Sequence, residues 1–173
     1  MIFSFNRRKK QRQAERLGRA WFTYALERAK TQFPELFETD APAAEDILRQ
    51  KRFEAVSLYM SAVLWWLKTA GEEAAAQAAH DAMFLSFDRS LREGGVGDIG
   101  VSHKIKKFAQ AFYGRLERYT TALDNHSAPA IAAGLQKNMA LYEVAAKKHA
   151  RDMLQWSEQL NTKKADITKT SLK

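Results

Sequence analysis

The chain has 173 residues, no cysteine and a net charge of +8. That length specifies one domain, since domains usually run to about 100–200 residues, and the lack of cysteine excludes thiol catalysis, thiolate metal sites and disulfides. The charge sits at the ends: residues 1–30 carry nine Lys/Arg against two Glu, and residues 161–173 four Lys against one Asp. The middle is close to neutral, which argues against specific DNA binding, because a folded nucleic-acid reader usually shows a basic stripe on its body.

Residues 1–10 read as a basic N-terminal segment. Ile2, Phe3 and Phe5 precede Arg7, Arg8, Lys9 and Lys10, the reverse of the charged-then-apolar order of a secretory signal. The Arg-rich, acid-poor start also fits a mitochondrial presequence, but it holds one serine, and helical pattern with Trp21 and Phe22 begins inside it. Phe3 and Phe5 beside the basic run suit contact with an anionic membrane surface. The same residues suit ribosomal RNA through a salt-sensitive electrostatic attraction.

Residues 11–160 carry strong helical periodicity and almost no alternating pattern. The first helix is predicted over 11–31, with Leu17, Trp21 and Tyr24 on one face and Phe22, Leu26 and Ala29 on another, ended by Pro34. Thr39 or Asp40 is a candidate cap for the second helix, about 43–69, with Pro42 in its first turn. That helix is apolar nearly all round, with a stripe of Phe53, Val56, Met60, Val63, Leu64 and Leu67, and such a helix is normally buried on several sides. Its longest uncharged run, Ala55 to Leu67, has thirteen residues, short of the roughly 20 that span a bilayer. Gly71 is a stop signal.

A third helix over about 72–93 presents Ala76, Ala79, Met83, Phe84, Phe87 and Leu91, and Gly94-Gly95 closes it. A fourth begins after Ser102 and runs past Leu123, with Phe108, Phe112, Leu116 and Tyr119 on its stripe. A fifth opens at Pro129 and continues to Leu160 through Ile131, Leu135, Met139, Tyr142, Ala146, Met153 and Trp156. Residues 161–173 are polar and basic and read as a disordered tail. The expected fold is all-α: a single-domain bundle of about five helices with a flexible basic C-terminal tail.

Chemistry-bearing motifs are sparse. Residues 95–100 match GxGxxG, but that pattern cradles pyrophosphate only after a β-strand, and here a helix precedes it. The glycines read instead as a kinked connection in which Asp98 serves recognition. His80, His103, His126 and His149 lack the spacing of metal ligands on one helical face. His149 and Asn138 fall on the apolar stripe of the fifth helix and read as hydrogen-bonded core residues. Asp81 and Asp88 lie near Arg89 and Arg92, which favours ion pairing over acid–base work. Lys104, Lys106, Lys107, Arg115 and Arg118 make a basic outer side on the fourth helix. No convergent catalytic set, metal site or cofactor motif is legible, so the expectation is a protein-binding module and not an enzyme.

The run Asp81-Ala-Met-Phe, Asp88-Arg-Ser-Leu-Arg-Glu93, Gly95-Val-Gly-Asp98, Lys104, Lys107 and Phe112-Tyr-Gly-Arg115 resembles the ubiquinol–cytochrome c chaperone family. Arg52-Phe53-Glu54 with Leu58 is similar to a segment upstream of it, so the resemblance covers about residues 45–120, with a looser echo over Leu135 to Asn138. Lys51, Tyr59 and Gly94 stand where the family pattern leads one to expect Gly, His and a larger residue. The resemblance implies an all-helical chaperone that assists assembly of the cytochrome bc1 complex by receiving newly made cytochrome b near the ribosome and the inner membrane. It would be cytoplasmic or peripheral on the cytoplasmic side of that membrane, or on the matrix side in a eukaryote. The partner-binding residues so implied are Arg52, Glu54, Asp88, Arg92, Glu93, Asp98, Lys104, Lys107 and Arg115, with an apolar groove at Trp65 and Trp66. Independent of the resemblance, a helical adaptor for anionic membranes or RNA is the competing expectation.

Overall fold

The computed structural model describes residues 2–38 and 45–171, with side chains described for 8–38 and 46–169. Among these residues there are seven helices and no strand: α1 (Ile2–Gln32), α2 (Pro34–Phe37), α3 (Glu45–Thr69), α4 (Glu73–Glu93), α5 (Asp98–Asp124), α6 (Ala128–Met139) and α7 (Glu143–Ser171). The expected caps Thr39 and Asp40, and Pro42, lie outside the described residues.

α3 is the axis of the bundle. Every side chain from 53 to 64 is buried, and the helix touches each of the other six. Its all-round apolarity is therefore matched by neighbours on every side. Around it, Trp21 of α1 packs on Trp66 with ring centroids 4.9 Å apart, and Tyr24 stacks on Trp156 of α7 at 5.2 Å. Phe53 stacks on Phe108 of α5 at 4.8 Å. Fully buried side chains such as Trp21, Leu58, Met83 and Ile131 each contribute on the order of 1.5–3 kcal/mol by leaving water. Where α1 crosses α4, Gly18 lets the backbones meet: a Cβ there would stand 2.5 Å from the Ala78 carbonyl carbon.

Two helix ends follow the expected glycine stops. Gly71 and Gly95 take positive φ, +73° and +78°. In each case the glycine N–H donates three residues back and the next N–H five residues back, Glu72 to the Leu67 carbonyl and Val96 to Leu91. That is the paired bonding of a Schellman stop. His126, at φ +48°, closes α5 the same way.

Four expectations are corrected. α1 begins at Ile2, so the basic residues at its start extend a helix rather than precede one. α5 starts at Asp98, four residues before Ser102, with Gly97 extended as its cap. The expected fifth helix is two helices, because Ala140 sits in the left-handed region at φ +54°. Tyr142 is consequently 89% exposed rather than on the apolar stripe. The segment from Asn161 continues α7 to Ser171, held by buried Ile167 and by Lys164, which pairs with Glu72 at 2.8 Å and lies over the Trp66 ring.

Candidate functional site

The charged residues of the resemblance collect on a seam where α3, α4 and α5 meet. At its heart Glu54, only 1% exposed, takes a two-pronged hydrogen bond from Arg115, Nε to Oε2 at 3.0 Å and Nη2 to Oε1 at 2.7 Å. Gln50 donates a third at 3.0 Å from one turn earlier on α3. Arg115 also donates to the Ala111 carbonyl at 3.1 Å and rests against the Phe53 ring. A buried carboxylate needs this saturation, because desolvation is offset only when its lone pairs are filled. Glu54's hydrogen bonds hold the Arg115 guanidinium above its ordinary pKa. Beside it, burial pushes the Tyr119 phenol up to about 12, the Glu54 charge adding to this and a hydrogen bond with Asn138 opposing it.

Nearer solvent, Asp46 at the start of α3 accepts from Arg49 at 2.8 Å and from Lys104 of α5 at 3.1 Å, and the Lys104 bond and charge lower its pKa. Arg92 bridges the α4–α5 connection, bonding Asp88 at 2.7 Å and also Asp98 in the first turn of α5. Both carboxylates hold its pKa above the ordinary arginine value, Asp88 foremost. A Cβ on Gly94 would meet the Arg49 guanidinium at 2.7 Å, so Arg49 fills the space that a larger residue would take. Arg52 points the other way, donating to the Leu36 carbonyl of α2. Glu93 and Lys107 are exposed at the margin.

The seam therefore brings together Glu54, Asp88, Arg92, Asp98, Lys104 and Arg115, with Arg52 pinning α2 instead. Asp46, Arg49 and Gln50 belong to it and were missed. Their three- and four-residue spacing on α3 was a usable signal, but nothing local points to the α5 partners.

Trp65 and Trp66 lie at the far end of α3 from the charged seam. Trp65 donates its indole N–H to Asp124 at 2.7 Å, and Trp66 is buried between Trp21 and Lys164. α1 and α7 thus cover Trp66, whereas Trp65 is tied to α5. Arg8, Lys9 and Lys10 are exposed on α1, while the side chains of Phe3, Phe5 and Arg7 lie outside the described residues.

His149 is buried as expected, but by stacking on Phe33 at 4.1 Å, and its Nδ1 has no hydrogen-bond partner. Burial first, then the Lys148 charge, lower its pKa. Next to it Asp152 accepts from Tyr59 at 2.7 Å and pairs with Arg28. Tyr59, which stands where the family pattern leads one to expect His, thus locks α3 to α7, and burial drives its phenol pKa far upward. Among the described residues no group of His, Asp and Glu is placed to hold a metal ion, and no helix is long and apolar enough to cross a membrane.

The family model described as ubiquinol-cytochrome C chaperone matches residues 48–170, so the likeness runs past residue 120 and through most of α7. The crystal structure of the Cbp3 homolog from Brucella abortus is 32% identical, covers 92% of this chain and 88% of that one, and superposes with a TM-score of 0.69. No curated protein matches. With a family match across well over half its length and a related solved fold across nearly all of it, the chain belongs to the ubiquinol–cytochrome c chaperone family.

Proposed function

We propose that the protein is a non-catalytic assembly chaperone for the cytochrome bc1 complex, and that it receives newly made cytochrome b. The observation that carries this is the family match over 48–170, which takes in the seam from Glu54 to Arg115. In this reading the buried Glu54–Arg115 clamp fixes α3 against α5. The exposed members, Arg92, Glu93, Asp98 and Lys107, then orient a polar client segment by charge complementarity, which sets register and specificity more than affinity. The protein acts in the cytoplasm or at the cytoplasmic face of the inner membrane, with the α1 cations near a membrane or ribosome.

The test is the level of assembled bc1 complex, by haem b absorbance and native gel, in cells lacking the protein. A specific loss restored by the intact gene, but not by Arg92→Glu with Lys107→Glu, is the expected result. Normal bc1 levels during respiratory growth would refute the assignment.

One observation favours a second reading, the adaptor without a respiratory role: Arg8, Lys9, Arg12 and Arg16 are exposed on one helix. That reading predicts binding to anionic vesicles or ribosomes that falls steeply with salt.

A further inference from the structure

The side of the bundle formed by α1 and α4 carries an open groove of about 790 Å³, within the range of roughly 300–1,000 Å³ typical of binding clefts. Its floor is apolar and mostly small, with Ala78 on α4 and Phe22 on α1, and Leu85 stands at its edge 61% exposed. Lys10, Arg19 and Arg89 line its rim.

The rim charges are not equally engaged. Its two carboxylates already accept hydrogen bonds within the chain, Glu15 from Gln11 at 3.3 Å and Asp81 from Gln77 at 2.8 Å. Lys10, Arg19 and Arg89 have no carboxylate partner among the described residues, and Arg8, Lys9, Arg12 and Arg16 extend the same cationic helix. Three lining cations against Glu15 and Asp81, with Arg8, Lys9, Arg12 and Arg16 beside them on α1, give the surface a net positive charge next to an apolar stripe.

Shape narrows the occupant. A planar bilayer cannot enter a furrow between two helices, and a phosphate backbone has no use for an apolar floor. A third helix fits there by the ordinary packing of ridges into grooves. The stretch of α1 that lines it, Lys10 to Thr23, is about 20 Å long at 1.5 Å per residue, the length of a helix of about 14 residues.

We propose that the α1–α4 groove docks an acidic amphipathic helix of a partner protein, apolar side chains against Phe22, Ala78 and Leu85 and carboxylates against Lys10, Arg19 and Arg89. The proposal is independent of the bc1 assignment, since it uses none of the seam residues.

The chain has no cysteine, so Ser86→Cys in the groove gives the full-length protein one attachment point for an environment-sensitive fluorophore. The probes are three synthetic 15-residue helices: Leu at heptad a and d positions with Glu elsewhere, the same composition with Leu scattered, and the first with Lys replacing Glu. The amphipathic acidic peptide shifts the fluorophore's emission, the scattered one binds at least tenfold more weakly, and the Lys version does not bind. Leu85→Asp, at an exposed position, and the double change Arg19→Glu with Arg89→Glu each weaken the first peptide at least tenfold while circular dichroism is unchanged. Equal binding of the scattered peptide would reduce the site to plain charge attraction and overturn the proposal. So would an unmoved fluorophore, or a shift produced by phosphatidylglycerol vesicles and not by the peptide.

Discussion

Replacing Arg115 by methionine removes the cation that accounts for two of the three hydrogen bonds on the Glu54 carboxylate. Glu54 is 1% exposed, so water cannot replace them. Breaking a buried pair by removing one member destabilises by about 3–5 kcal/mol. Glu54→Gln is milder, because the Arg115 side chain is 21% exposed and keeps the Ala111 carbonyl. That loss is about 1.5–3 kcal/mol, the scale of a hydrogen bond to a charged group. Substituting both, as Glu54→Leu with Arg115→Met, removes the desolvation burden and returns stability to within about 1–2 kcal/mol of the parent, since apolar replacement of a buried pair is often neutral. Urea unfolding measures all four proteins. With m near 2 kcal/mol/M, Arg115→Met lowers the midpoint by roughly 2 M and the double variant by under 1 M. If the double variant is as unstable as Arg115→Met alone, or if Glu54→Gln equals Arg115→Met, the clamp is not the coupled buried pair described above.

Two glycines in helix interiors should respond to alanine with opposite signs. Gly18→Ala drives a Cβ into the Ala78 backbone and destabilises by about 1–3 kcal/mol through overpacking, whereas Gly114→Ala meets nothing within 4 Å and stabilises by up to about 1 kcal/mol through helix propensity; thermal melts decide. Ile167→Asp should release the end of α7, seen as hydrogen exchange speeding over 161–171 and not over 143–158. Unchanged protection there would mean that Ile167 is not the anchor. His149 gives a pH signature: its folded pKa lies below the ordinary 6.5, so the unfolded chain binds more protons and stability falls as pH drops through 6.5 toward the folded value. His149→Phe should remove that part of the slope between pH 7 and 5, and an unchanged slope in urea titrations would assign it elsewhere.

Local chemistry alone made several features of this molecule readable. The 3.6-residue period gave the all-helical class, and the all-round apolarity of residues 53–67 gave the one helix that every other touches. Gly71 and Gly95 gave their stops because positive φ is a property of the residue itself. The glycines of residues 94–97 read as a helix–helix connection, and the structure places α4 before it and α5 after it. The site was legible as a set of residues but not as pairs. Gln50 and Glu54 share a face of α3, yet nothing in the sequence says that Glu54 meets Arg115, 61 positions away.

What the sequence determined by itself, then, was whatever rests on neighbours within a few residues: helix, stop, amphipathic face and the charge of each end. Only the tertiary structure decided the rest. Met139-Ala140-Leu141-Tyr142 holds no glycine or proline, so the left-handed turn at Ala140 reflects the packing of α6 and α7 rather than any residue's preference. Residues 161–171 are poor in helix formers and read as disorder, but Ile167 reaching the core and Lys164 reaching Trp66 and Glu72 keep them helical. The same closure buried Trp66 and left the apolar furrow between α1 and α4, because which helix face stays uncovered depends on contacts between segments far apart in the chain. Propensity and periodicity are sums over local terms, and those contacts are not.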